Sequence, residues 1–396
     1  MQNIFDGLKV IDFTNNAAGP VSTALLADFG AEVIKIERPK VGDDVRAYAP
    51  RIDGTAVSFF WLNRGKKSLV LDIKDPQGLE IVKKLIATAD VVVESFKPGV
   101  MKKYGLTYEE LREINPKLIM CSVSAFGQTG PYSHRPGYDV VAQALSGVMD
   151  VTGEIDGPPI RTGITLADYN AGVHAYSAIT SALYHRVNTG IGQYIDIAML
   201  DCLVAINMFV EHASLGNQCT RSGNHHGTLI PFGLFNGNNE SAIIAAPNPK
   251  LWSQLCQVMG KQKMENDPKY NTSVARNQNR SQVVEVIETW LKSFTSIKEP
   301  LDILEKAGIP CGKVNTVADL LEDEQLCARD MITDMEMPDG MSVKSIKARG
   351  NPLKFSEVKA VIKKPPKLGE HQAEVLRLIG YDEASIAALK DKWSVS

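Results

Sequence analysis

The chain has 396 residues, 44% hydrophobic and 22% charged, with a formal net charge of −3. That length can bury a large core and implies two or three domains, while the near-neutral charge gives no electrostatic reason to expect nucleic acid or a membrane surface as partner. A secretory leader, an apolar run of about 18 residues and metal-type Cys or His spacing are not visible, so a cytoplasmic protein with no metal, no nucleic-acid partner and no membrane association is expected.

In chain order, short β-branched runs alternate with helical patterns. LKVIDF (8–13) reads as a strand, GPVSTALLADFG (19–30) as a helix, AEVIKIE (31–37) and KSLVLDI (67–73) as strands. PQGLEIVKKLIATA (76–89) has proline at a plausible first helical turn and leads back into the strand DVVVESF (90–96). TYEELREINP (107–116) is a helix and KLIMCSVSAFG (117–127) a strand. Strands joined by helices of this length imply right-handed crossovers and a doubly wound parallel α/β sheet. Ligands in such folds lie at the C-terminal ends of the strands.

After Asp168, AGVHAYSAITSALYHRV (171–187) is helical; YIDIAMLD (194–201) reads as a strand and CLVAINMFVEHASL (202–215) as one helix. The expected organisation is a large domain over 1–217, a linker over 218–229, a smaller α+β domain over 230–328, and a return over 329–396 to the large domain. The last stretch reads as irregular up to a final helix, HQAEVLRLIG (371–380).

Neither a GxGxxG after the first strand nor a GxxxxGK[ST] is present, which disfavours dinucleotide and nucleoside-triphosphate enzymes. Instead, four basic stretches follow strands: KIERPKVGDDVR (35–46), DIKD (72–75), SFKPGVMKK (95–103) and SHRPGYD (133–139). Each alone reads as a solvated surface; together, at strand ends, they suit a phosphorylated ligand. Asp168 stands where an extended stretch gives way to the helix. It reads as a helix N-cap, and compatibly as a nucleophile, since a carboxylate at a helix N-terminus is kept ionised by the dipole. His174 reads as a core histidine rather than a base, and no Ser- or Cys-hydrolase signature occurs.

The segments GLKVIDFTNNAAGPVSTALLADFGAEVIKIERP, GDDVR, LNRGKKSLVLDIK, ADVVVESFKPG, YDVVAQALSG, TGIGQYIDIAMLD and PPKLGEHQAEVLRLIGYD resemble the family III CoA-transferases, over nearly the whole chain and in order. The resemblance implies a Rossmann-like large domain built from both chain ends, a smaller middle domain and an interlocked homodimer. It implies a CoA-transferase with no tightly bound cofactor, taking acyl-CoA and a small organic acid as substrates. The family's catalytic carboxylate falls on Asp168. Its coenzyme A contacts fall on Ala17 and Ala18, Arg38, Leu71, Asp72, Ile73 and Lys74, Ser95, Phe96 and Lys97, Lys103, and Pro136, Gly137, Tyr138 and Asp139.

Two departures bear on the acid. Formyl-CoA transferases carry glutamine where this chain has Ala17, and a run of glycines absent here, which points away from formyl-CoA and oxalate. Racemases of the same fold carry a histidine where Tyr138 stands; with a pKa near 10 tyrosine is a poor acid/base partner, so racemase is the alternative only if His134 takes that role. A CoA-binding protein without catalysis is the third reading.

Overall fold

The computed structural model describes residues 2–393. Six strands, β1 (Lys9–Phe13), β2 (Glu32–Glu37), β3 (Lys67–Val70), β4 (Val91–Glu94), β5 (Ile119–Ser124) and β6 (Tyr194–Ala198), form one sheet, ordered β3-β2-β1-β4-β5-β6. Every neighbouring pair is parallel; Val10, for example, lies opposite Val33 on one side and Val91 on the other. This is the Rossmann-like order, and the crevice where it reverses lies between the ends of β1 and β4.

The strands are apolar on both faces because helices cover both. Val91 and Val93 join a core cluster with Ala18 and Leu26 of α1 (Ala18–Asp28) and Ala171, Ala175 and Ile179 of α5 (Leu166–Thr189). Val92, pointing the other way, packs with Ile81, Val82 and Leu85 of α2 (Pro76–Ile86) and Leu111 of α3 (Tyr108–Ile114). This period-two division is what the pleat dictates. Two further helices, α4 (Asp139–Leu145) and α6 (Met199–Val204), complete the part of the fold that frames the site. Where α1 and α5 cross they approach closely: a Cβ on Gly172 would stand 2.7 Å from Val21 Cβ and 2.8 Å from the Ala18 carbonyl.

The chain forms two compact units. The first contains the sheet and takes in residues up to Gly147, Thr162–Met208 and everything from Asp323 onward; the second takes in Val148–Arg161 and Phe209–Glu322. The boundaries thus fall at 208 and 322 rather than 217 and 328, and residues 148–161 leave the first unit. The physical reason is local pairing: Arg221 donates to the Asp150 carbonyl at 3.0 Å and the Gly223 amide to the Gly153 carbonyl at 3.1 Å. Within the second unit, the strands Phe232–Asn236, Ser241–Ala245 and Cys311–Lys313 make an antiparallel sheet. It packs on the helices Pro249–Val258, Arg280–Lys292 and Lys298–Lys306 through Phe235, Ile244, Trp252 and Ile287. The expected linker is itself paired, His226 donating to Phe232 and Leu234 to Asn224 through the backbone.

Four other expectations are corrected. α5 begins at Leu166, so Asp168 lies inside its first turn. The strand over 194–201 stops at Ala198, and the helix expected over 202–215 is two short pieces, Met199–Val204 and Phe209–Ser214. The stretch after 329 holds an antiparallel hairpin, Ile332–Glu336 with Ser345–Arg349. The helix Gln372–Leu378 is followed by another, Glu383–Trp393, which buries Ile386, Leu389 and Trp393.

Candidate active site

Beneath the crevice lies a buried ionic network that sets the loops above it. Lys35 reaches Asp43 at 2.9 Å and the Thr14 carbonyl at 2.6 Å. Arg46 clamps Glu37 with two bonds of 2.7 Å, and Lys66 binds Asp12 at 2.9 Å. Burial would raise the Asp12 carboxyl, but Lys66 and Lys35 outweigh it and hold it well below the usual range. Burial pushes Lys66 down to about 8 against the pull of Asp12. Breaking such a pair leaves an uncompensated buried charge, which typically costs about 3–5 kcal/mol, so these loops are firmly held.

Two loops are tied to each other as well as to this base. The Asn15 amide donates to Ser95 Oγ at 2.9 Å, joining the turn after β1 to the turn after β4. The Asn16 amide donates to Asp43 at 3.1 Å, and Tyr48 Oη donates to the Asn16 side chain at 2.8 Å. Asn16 has φ +63°, a left-handed conformation that asparagine tolerates. The Glu94 carboxylate accepts the Phe96 amide at 2.8 Å, fixing the second turn from below.

Above them opens a cavity of ≈ 380 Å³. Asn15 to Ala18 form one wall, Ser95 to Pro98 the next, and Ser124 to Phe126 with Arg135 to Tyr138 a third; Arg38, Asp44, Ser133, Asp168 and Met199 complete it. Arg38 donates to the Gly42 carbonyl at 3.0 Å and pairs with Asp44. Gly137 is required for close approach, since a Cβ there would lie 2.5 Å from Ala125 Cβ and 2.9 Å from the Phe126 ring.

Asp168 is not the helix cap. The N-cap position is Thr165, whose side chain makes no capping bond. The first-turn amides of Ala167 and Asp168 instead donate to Asp139 Oδ1, at 2.7 and 3.2 Å. Gln143 holds the other oxygen of Asp139 at 2.6 Å and receives the Thr162 amide at 3.0 Å. Asp139 therefore caps α5 from α4 and frees the Asp168 carboxylate to face the cavity. Burial, then repulsion from Asp139, pushes Asp168 up to about 7. The expectation that the helix dipole keeps it ionised is corrected: an amide-bonded carboxylate would be held low, and here the amides go elsewhere.

Of the sequence-predicted contacts, Ala17, Ala18, Arg38, Ser95, Phe96, Lys97, Pro136, Gly137 and Tyr138 meet Asp168 around this one cavity, with Asp139 directly behind. Leu71, Asp72, Ile73, Lys74 and Lys103 do not line it. Leu71 is buried and Ile73 packs beside it in the core; Asp72 accepts the Lys74 amide at 2.9 Å, and Lys74 and Lys103 are exposed. His174 is half-buried, its Nδ1 2.9 Å from the Asn170 carbonyl. Asn15, Asn16, Phe126, Ser133, Arg135 and Met199 were not singled out; of these, Ser133 and Arg135 stood within a basic stretch that the sequence made visible. Among the described residues no His, Cys, Asp or Glu group could hold a metal, and no helix is long and apolar enough to cross a membrane.

A family model described as CoA-transferase family III matches residues 5–372. The succinate–glutarate CoA-transferase of Agrobacterium fabrum is 38% identical over 93% of this chain and 94% of its own. The acetyl-CoA:oxalate CoA-transferase of Acetobacter aceti is 39% identical over 96% and 97%, and the human succinyl-CoA:glutarate CoA-transferase 35% over 98% and 90%. Among solved structures, a CAIB/BAIF family protein from Brucella suis superposes with a TM-score of 0.86 at 37% identity, covering 96% of this chain and all of that one (100%).

Proposed function

We propose a mechanism from one premise: the chain belongs to CoA-transferase family III and moves coenzyme A from an acyl-CoA to a carboxylic acid. Asp168 is the nucleophile. Its carboxylate attacks the thioester carbonyl of the donor, releasing CoA thiolate and leaving a mixed anhydride. The thiolate then attacks the aspartyl carbonyl, expelling the donor acid and forming an aspartyl-CoA thioester. The acceptor carboxylate attacks that thioester, again releasing the thiolate and forming a second anhydride. The thiolate takes the acceptor's acyl carbon, and Asp168 returns as a carboxylate. Every step keeps one activated acyl bond, so no nucleotide is consumed, and covalent catalysis divides one difficult exchange into easier ones.

The observation that carries this reading is the Asp168 carboxylate itself: first turn of α5, open to the cavity, relieved of capping by Asp139. With its proton affinity raised to about 7 it is a more basic nucleophile than an exposed aspartate, yet it still ionises near neutrality. Arg38 and Lys97 line the cavity, and the exposed Lys74 and Lys103 follow β3 and β4 in sequence; these cations suit the coenzyme's phosphates. Coenzyme A is a substrate in this scheme, and no tightly bound cofactor is needed.

The racemase alternative finds less support. Ser133 and Arg135 line the cavity, but His134 between them does not, and Tyr138 stands at the position of the required acid/base. An interlocked homodimer follows from the family resemblance, and the exposed apolar residues Val173, Tyr184 and Val187 along α5 fit a covered surface. Cys121, Cys202, Cys219, Cys256 and Cys311 form no disulfide, which fits a reducing, cytoplasmic compartment.

The test is trapping. The protein is incubated with acetyl-, succinyl- and butyryl-CoA in turn, quenched with hydroxylamine and mapped by mass spectrometry. A hydroxamate at Asp168, absent from Asp168→Ala, is expected. An unmodified Asp168 with every donor, despite coenzyme binding, would overturn the covalent scheme.

A further inference from the structure

Among the described residues, three cations line the Asp168 cavity: Arg38, Lys97 and Arg135. Arg38 already has Asp44 and the Gly42 carbonyl as partners. Lys97 belongs to the turn after β4, on the side where the coenzyme's phosphates are placed above. Arg135 differs from both. It comes from the loop after β5, three residues before Tyr138 and four before the Asp139 that caps the nucleophile's helix. Its guanidinium meets aromatic faces rather than a carboxylate: 4.4 Å from the centroid of Tyr132 and 5.6 Å from that of Phe126.

That setting is preorganised for an anion. Stacking on Tyr132 and Phe126 limits the rotamers of a long side chain, so less freedom is lost when a ligand arrives. The backbone is held too: the Arg135 amide donates to Tyr132 at 2.9 Å, Pro136 follows, and Gly137 lets the loop press on Ala125 and Phe126. Aromatic stacking leaves the edge of the guanidinium free, and that edge carries the paired N–H donors that match a carboxylate.

We propose that Arg135 receives the distal carboxylate of a dicarboxylic acyl group while Asp168 attacks the other end, so that the preferred donor and acceptor acids are dicarboxylates. The inference rests on the Asp168 reading and assigns the substrate class of that same cavity. A monocarboxylic acyl chain has nothing to offer the guanidinium, which then stays with solvent. An acyl chain with a terminal carboxylate replaces that solvent by a charge-assisted pair.

The experiment compares succinyl-CoA with butyryl-CoA, which match in chain length and differ in the terminal carboxylate. The rate of Asp168 adduct formation is measured for each donor in the wild type, Arg135→Met and Arg135→Lys. Arg135 is exposed, and a melting temperature within error of the wild type confirms that each variant folds. The succinyl-over-butyryl ratio of kcat/KM is expected to fall about 10- to 100-fold in Arg135→Met, the usual range for losing hydrogen bonds to a charged group. Arg135→Lys should recover part of it. An unchanged ratio overturns the proposal: if both donors slow together, Arg135 holds the coenzyme instead, and if neither slows, it is a solvated surface residue. Absence of any adduct in the wild type is a separate result, which removes the covalent reading itself.

Discussion

Replacing Asp168 by asparagine should stabilise the protein, and by an amount that grows with pH. The folded chain raises this carboxyl from 3.8 to about 7, through burial first and Asp139 second. The unfolded chain ionises it near 3.8, so between those values the folded state holds a proton that the unfolded state has released. Stability contributed by Asp168 is therefore complete below about 3.8 and declines as pH rises to about 7, at roughly 1.4 kcal/mol per pH unit. The whole loss is roughly 4 kcal/mol, of which roughly 3 lies between pH 5 and 7. An asparagine side chain keeps the shape without the charge and escapes the loss. Urea unfolding of ligand-free wild type and Asp168→Asn, followed by circular dichroism at pH 5, 6, 7 and 8, should show the variant's advantage widening by about 3 kcal/mol and levelling above pH 7. A constant difference across that range would refute the reasoning, because it would mean that the folded carboxyl ionises as freely as the unfolded one.

The same ionisation should govern chemistry: kcat/KM for donor acyl-CoA is expected to rise about tenfold per pH unit below 7 and flatten above it, and Asp139→Asn, which keeps a capping oxygen but removes the repelling charge, should move the midpoint to lower pH. Stopped-flow pH profiles check both. Gly172→Ala puts a Cβ 2.7 Å from Val21 and 2.8 Å from the Ala18 carbonyl; overpacking should cost about 1–3 kcal/mol and, by shifting the start of α1, lower activity as well, read by urea midpoint and turnover. In the second unit, buried Arg276 donates to the carbonyls of Ile230, Tyr270 and Pro247 at 2.8, 3.0 and 2.8 Å. Arg276→Met leaves three acceptors unpaired and should destabilise that unit by roughly 3 kcal/mol or more, visible as faster proteolysis within Phe209–Glu322 than in the sheet.

The inner strands of the sheet were legible because they are buried on both faces: VIDF, VIKI and VVV are short β-branched runs, broken only by the charges of Asp12 and Lys35, and helical periods separate them. The hairpin Ile332–Glu336 with Ser345–Arg349 was missed for the opposite reason. Its strands are mostly half-exposed or exposed, ITDME and SIKAR carry charges, and the only cue was the Pro338-Asp339-Gly340 turn. CLVAINMFVEHASL looked like one helix because its apolar residues recur at helical spacing. Yet Asn207 turns its side chain to the Ser146 carbonyl at 2.9 Å, in the break between the two short helices. At the site, a basic residue after a strand was visible, whereas a contact such as the Asn15 amide to Ser95 Oγ, 80 residues apart, was not.

At Asp168 the sequence invites one electrostatic reading and the surrounding hydrogen bonds support another. A lone acid at a helix start invites the capping interpretation, and capping would bring amide bonds that hold a carboxylate low. That would make a stable helix and a poor nucleophile. Here the cap is another acid, Asp139, 29 residues earlier in sequence, and no local pattern around Asp168 announces it. Assigning the amides to Asp139 has two consequences at once: α5 keeps a satisfied first turn, and Asp168 faces a second negative charge with no donor to offset it. Burial first, and that charge second, raise its proton affinity, which is the instability that the asparagine variant should relieve and also what a nucleophile needs, since a carboxylate that binds a proton well also attacks carbon well. Loss of stability and gain of reactivity at this position are then one electrostatic effect measured in two ways, so Asp139→Asn should stabilise the folded protein at pH 8 while making each ionised Asp168 a weaker nucleophile.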